Sequence, residues 1–253
     1  LSAIINNEYY CDKVAEMTRQ ALDKTIALRY GIASRSPQAI AELMEALIVS
    51  GIAMSYAGNS RPASGSEHHL SHFWEIRFML AGKKPVLHGP KVGIGTVLVS
   101  RLYRLLSEET FDAASIAATV LPSDINWEKS IREAFMEAAP EVLQLEAKTQ
   151  KNGVSGWEAR IPVIARRWDE IREVLSSVPS TDEIVRLITE VGGVVKPEDV
   201  EISLDLVRHG ILYAKEIRPR YTILQLLWDL DLLANYASEL AGRRNRDACK
   251  KGL

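Results

Sequence analysis

Apolar residues return every three or four positions along almost the whole of this chain, and the apolar–polar alternation that marks a half-buried strand is scarce. Such a chain has helices as its building blocks. Short connections between them predict one all-α, compact multi-helix domain over residues 1–253. The first amphipathic stretch runs from Tyr10 to about Tyr30, with Val14, Met17, Ala21, Leu22, Ile26 and Leu28 on or near one face and Gly31 as its stop. A second begins at Ser36-Pro37, an N-cap followed by proline in the first helical position, and reaches about Ala57. Because it is almost continuously apolar after Glu45, it is expected to be a buried central helix.

Gly58 to Ser66 stacks turn formers around Pro62 and reads as a loop. Further helices are expected from Ser66 to about Leu80, from Gly89 or so to Leu106, and over 126–150, 157–177, 181–191, 198–216 and 222–241. Asn126, Thr181 and Thr222 are suitable N-caps for three of them. Trp74, Trp127, Trp157, Trp168 and Trp228 fall at helical positions that suit core anchors.

Charge excludes some roles. With 31 Lys+Arg against 33 Asp+Glu the formal net charge is −2, which argues against general nucleic-acid binding. The charge-free stretch Ala46–Ser60 is shorter than the roughly 20 residues that a bilayer span needs, so no membrane span is expected. Glu8, Asp12 and Glu16 interrupt the N-terminus where a signal peptide would be apolar. Cys11 and Cys249 are too few for a disulfide framework and have no ligand-spaced partner, which fits a cytoplasmic protein. The cluster Arg243-Arg244-Asn245-Arg246 with Lys250-Lys251 reads as a solvated helix end.

Four of the five histidines fall between positions 68 and 88. On a helix His68 and His72 are i and i+4 and share a face, whereas His69 points elsewhere. His88 opens the next helix and could return its ring to the same face. Converging neutral imidazoles suit zinc, nickel or iron, although an i, i+4 pair is also common as an ordinary surface pair. A catalytic centre usually takes a third protein ligand, and Glu67 lies about 100° round the helix from His68. His209 reads as an ordinary helix residue. Gly93-Ile94-Gly95 lacks a third glycine and a preceding strand, so close helix packing explains it better than dinucleotide binding.

The block Ser60-Arg61-Pro62-Ala63-Ser64-Gly65-Ser66-Glu67-His68, continued through His72 and followed by His88-Gly89-Pro90-Lys91-Val92-Gly93-Ile94-Gly95-Thr96, resembles the sn-glycerol-1-phosphate dehydrogenase family. Asn7-Glu8-Tyr9-Tyr10-Cys11 and Arg220-Tyr221-Thr222-Ile223-Leu224 resemble its bacterial branch. The His-x-x-x-His plus later His-Gly pattern is shared with iron-type alcohol dehydrogenases, glycerol dehydrogenase and dehydroquinate synthase. The resemblance implies a two-domain enzyme in which an N-terminal domain binds NAD(H) or NADP(H) and a helical domain carries the metal. It implies His68 and His88 as metal ligands, with an aspartate upstream of Leu1 as the third. It also implies reduction of dihydroxyacetone phosphate to sn-glycerol 1-phosphate, with His72 beside the metal as ribose contact, proton relay or orienting residue.

Arg61, Ser64 and Ser66, near a helix N-terminus, are the candidate phosphate donors. The first domain is then missing from these residues. The chain alone is expected to be inactive, and faces left uncovered predict self-association into a homo-oligomer. Glycerol dehydrogenase or dehydroquinate synthase-like activity, or a non-catalytic helical module, are the alternatives.

Overall fold

The computed structural model describes residues 1–122 and 126–242. Helices account for its regular structure, and no strand occurs among the described residues. In chain order they are α1 (Ser2–Asn6), α2 (Asp12–Ala27), α3 (Arg29–Ala33), α4 (Pro37–Ala57), α5 (Ser66–Leu80), α6 (His88–Glu108), α7 (Ala113–Ala117) and α8 (Trp127–Phe135). They continue with α9 (Ala139–Thr149), α10 (Val154–Arg166), α11 (Trp168–Ser176), α12 (Thr181–Glu190), α13 (Leu204–Tyr213), α14 (Ile223–Asp229) and α15 (Leu233–Leu240). The all-α expectation holds. The basic cluster at 243–251 and Cys249 lie outside the described residues.

At the centre α5 packs along α6. Leu70, Phe73 and Trp74 of α5 and Ile94, Leu102 and Leu106 of α6 are fully buried, within a core that also takes Ile131, Phe135, Ile164, Ile171 and Ile211. Phe73 and Phe135 meet edge to face with ring centroids 5.4 Å apart, a favoured aromatic geometry. Trp74 and Trp168 are buried and the other three tryptophans pack on the same core, as expected.

Where the structure departs from the sequence expectations, local chemistry gives the reason. Gly31 does not end the first stretch. The chain breaks at Leu28, and Gly31 lies inside α3, where a Cβ would come 2.6 Å from that of Ala39. Its lack of a side chain lets α3 close on α4. The stretch 126–150 breaks at Met136, which has φ of 50°, and Pro140 starts α9 because it has no amide to continue the ladder. The stretches 157–177, 198–216 and 222–241 are likewise each divided into shorter helices or 3-10 turns. Ser180, not Thr181, caps α12, accepting from the Glu183 amide at 3.2 Å, while the Thr181 hydroxyl accepts from Ser100 at 3.0 Å.

The largest correction concerns α4. Its boundaries match, with Ser36 before it and Gly58 left-handed at its end, but it is not a buried central helix. Only Ala39, Ala46 and Ala53 are buried, a narrow seam repeating every seven residues that lets α2 approach closely. Ile40, Met44, Leu47, Ile48, Ile52 and Tyr56 face outward. By length and composition this helix, 21 residues at a mean hydropathy of 1.4, could cross a membrane. It exceeds the charge-free stretch 46–60 because it begins at Pro37 and includes Glu42 and Glu45.

Candidate metal centre

The break between α5 and α6 assembles the histidines. Pro85 lies in the irregular connection, Leu87 occupies the position before α6 without a side-chain cap, and His88 is its first residue, returned to the face of α5. Ring centroids lie 5.2 Å apart for His68 and His88, 5.4 Å for His72 and His88, and 6.3 Å for His68 and His72. The expected convergence is therefore present. Ser71 lies 3.3 Å from His88 Nδ1.

Glu67 prepares His68. Its carboxylate accepts the Gly65 amide at 2.7 Å and lies 2.8 Å from His68 Nδ1. Burial pushes this carboxyl up, but the hydrogen bonds from His68, Gly65 and its own amide outweigh it and hold it below the usual range. An ionised Glu67 makes Nδ1 the donor and leaves the lone pair on Nε2, the arrangement a metal-binding imidazole needs. At His88 burial, followed by the nearby His68 and His72 rings, lowers the imidazole below its ordinary value. A neutral His88 is likewise ready to coordinate, and the donor set fits a divalent metal.

One partner was missed in the sequence. Ligand atoms of His72, Glu75 and His88 all lie within 4.8 Å of one another, and Glu75 is i+3 from His72, on the same side of α5. Glu75 Oε2 is 3.4 Å from His72 Nδ1, and Oε1 is 3.3 Å from the ammonium of Lys91, which is buried and also bonds the Val86 carbonyl at 2.7 Å. Partial burial would raise the Glu75 carboxyl, but Lys91 and then His72 keep it lowered.

His69 faces away, as expected. It is 1% exposed with neither ring nitrogen hydrogen-bonded, and burial, with Lys151 and Arg220 nearby, pushes it down to about 3, so it is neutral. His209 lies on α13 beside Tyr213, ring centroids 5.9 Å apart, outside this grouping. Gly95 does serve helix packing. A Cβ there would meet the Glu67 carbonyl at 2.7 Å, so its absence brings α6 against the turn that carries Glu67 and His68.

Beside the centre is a hollow of about 240 Å³ lined by the candidate phosphate donors Arg61, Ser64 and Ser66, by Glu67, and by Arg220 and Thr222. It lies at the start of α5, within a few residues of His68. Arg61 pairs with Glu8.

Fold and site together define an all-helical domain with a histidine-rich candidate metal centre at the junction of its two central helices. No family model matches the chain. By sequence it is similar to glycerol-1-phosphate dehydrogenases. It is 32% identical over 225 residues to the glycerol-1-phosphate dehydrogenase [NAD(P)+] of Geobacillus stearothermophilus, covering 88% of this chain and 47% of that protein. Identity to the enzyme of the same name from Halalkalibacterium halodurans is 32% over 227 residues, 90% of this chain and 47% of the relative. The archaeal enzyme of that name from Korarchaeum cryptofilum is 32% identical over 164 residues, 60% of this chain and 52% of its own length. The chain thus spans about half the length of the relatives it matches.

Proposed function

We propose that this chain acts as the C-terminal, metal-carrying half of an NAD(P)-dependent sn-glycerol-1-phosphate dehydrogenase that works in the cytoplasm and reduces dihydroxyacetone phosphate to sn-glycerol 1-phosphate. The observation that carries this reading is the convergence of His68, His72 and His88 in a chain related to such enzymes. His68 and His88, with an aspartate from the preceding part of a longer polypeptide, would hold zinc, nickel or iron. When bound, the metal supplies a Lewis acid that stabilises negative charge on the substrate oxygen.

The chain's own residues do the rest. Glu67 fixes the His68 tautomer. His72, whose Nδ1 lies 3.4 Å from the Glu75 carboxylate, would contact the nucleotide ribose, relay a proton or orient the site. Arg61, Ser64 and Ser66 line the hollow that takes the phosphate. NAD(H) or NADP(H) would be brought by the other half, so the 253 residues alone are inactive. Their exposed α4 face would favour a homo-oligomer.

A second reading of the centre rests on the three ligand atoms of His72, Glu75 and His88, which would need no upstream aspartate. Metal analysis of this chain and of a form extended upstream tests both, with His68→Ala and Glu75→Gln variants. Metal held only by the extended form and lost in His68→Ala supports the first reading. Metal held by this chain and lost in Glu75→Gln supports the second, and no metal in any form overturns both.

A further inference from the structure

The sequence block Arg220-Tyr221-Thr222 carries no role in the mechanism above, yet it forms a wall of the hollow beside the histidines. Of the two arginines there, Arg61 is already paired with Glu8. Arg220 differs. Its guanidinium donates to the Ser64 carbonyl at 3.2 Å and the Ser60 hydroxyl at 2.9 Å, both neutral, and no carboxylate lies within ion-pair distance among the described residues. A guanidinium has five N–H donors, so these two bonds leave about three for a ligand. Burial, then Arg61 and Arg218, lowers its pKa, the sign of positive charge not compensated on the spot.

Thr222 supplies the second observation. It precedes α14 where a threonine hydroxyl ordinarily accepts from the helix amides, but it makes no such bond, and its Oγ1 is buried without a partner. A buried hydroxyl left unsatisfied costs stability unless something else satisfies it. Between the two, Tyr221 is tied to the core. Its hydroxyl donates to Asp229 at 2.8 Å, and Asp229 is held by both arms of Arg160 at 2.8 and 2.7 Å. Arg220 and Thr222 therefore flank a fixed residue. Across the hollow Tyr103, pushed up to about 12 by burial and by Glu67, remains a neutral phenol.

We propose that Arg220 and Thr222 bind the phosphate monoester of the substrate in this hollow, and that Arg220 rather than Arg61 selects phosphorylated over unphosphorylated substrate. This deepens the dehydrogenase reading and rests on it for the identity of the phosphate's carrier. The cation supplies charge and a fork of donors, and the Thr222 hydroxyl, enclosed in the wall, turns into the hollow to donate to a phosphate oxygen. Arg61, held by Glu8, shapes the rim.

Calorimetric titration of the intact protein with sn-glycerol 1-phosphate, inorganic phosphate, glycerol and adenosine 2′,5′-bisphosphate tests this, with metal content measured in parallel. Arg220→Gln is expected to weaken glycerol 1-phosphate and phosphate binding by about ten- to a hundredfold. Glycerol binding and metal content should stay unchanged, and Arg61→Gln should shift glycerol 1-phosphate less than Arg220→Gln does. Thr222→Val, close in shape and safe for folding, should weaken both phosphates in the same direction. Unchanged phosphate binding in Arg220→Gln and Thr222→Val, a larger effect at Arg61, or preference for the bisphosphate overturns the proposal. Absence of metal from both this chain and the form extended upstream, with phosphate binding still sensitive to Arg220, would instead remove the dehydrogenase reading and leave the anion site standing.

Discussion

Gly95 of α6 faces the backbone of Glu67 so closely that a Cβ added to it would lie 2.7 Å from the Glu67 carbonyl oxygen and 3.2 Å from its Cα. The obstacle is backbone, which cannot rotate away. Gly95→Ala must therefore push α6 off the first turn of α5, at a cost of about 1–3 kcal/mol, and separate His88 from His68. Denaturant unfolding and metal titration check this together. Gly93→Ala, whose Cβ would be 3.4 Å from the Val194 carbonyl, should be milder, and equal effects at both positions would refute the argument.

Glu67→Gln tests how His68 is prepared. The amide can still meet Nδ1, but it no longer supplies the charge that strengthens the bond. Metal affinity is expected to fall by about ten- to a hundredfold with little change in melting temperature. Competition against a chelator reads the affinity, and an unaltered value would mean that Glu67 serves only the loop.

The buried pair Arg160–Asp229 takes both guanidinium bonds at 2.7–2.8 Å. Asp229→Ala leaves Arg160 charged and unpaired in the interior and frees the Tyr221 hydroxyl. It should destabilise the fold by about 3–5 kcal/mol. Replacing Arg160 and Asp229 together with apolar residues of similar size should recover much of that loss in thermal unfolding. Failure of the double variant to recover would show that the pair does more than satisfy itself.

Glu216 gives a pH dependence. Burial would raise its carboxyl, but Lys215 and Lys151, with hydrogen bonds from Lys215 and Asn152, hold it down to about 2. The unfolded chain regains the ordinary value near 4.5, so below that pH the unfolded state binds the extra proton. The stability contributed by Glu216 is present above about pH 4.5 and is lost as pH falls towards about 2. Glu216→Gln should be less stable at neutral pH and show a flatter decline between those values in urea titrations. Parallel pH curves for the two proteins would contradict the assignment.

The outward face of α4 carries Met44, Leu47, Ile48 and Tyr56, all more than half exposed. Such a stripe favours contact with another surface. Light scattering should find the 253-residue chain self-associated, and Leu47→Glu with Ile48→Glu should shift it towards monomer. A monomer before substitution would count against the prediction.

The helical class was legible because period 3.6 is repeated by every long helix, and the convergence of His68, His72 and His88 because i, i+4 spacing and a helix start leave few geometries. Burial was less legible. In α4 the apolar run conceals that only its alanines, seven apart, are fully buried, a consequence of which face α2 covers and not of composition. Glu75, Arg220 and Thr222 escaped for another reason. Glu75 could have been found from its i+3 relation to His72, but the hollow unites residues 61 and 220 through tertiary packing, which no local spacing encodes. Helix ends failed where a side chain found a better partner, as Thr181 did with Ser100.

Glu67 borders the hollow and also grips His68, so the two places are thermodynamically linked through one carboxylate. A cation on the histidines draws that negative charge towards itself and lessens the repulsion that an entering anion meets. Filling either place then raises affinity at the other, and reciprocity requires the two enhancements to be equal. Metal and phosphate should accordingly bind with positive cooperativity, and the cooperativity should vanish in Glu67→Gln.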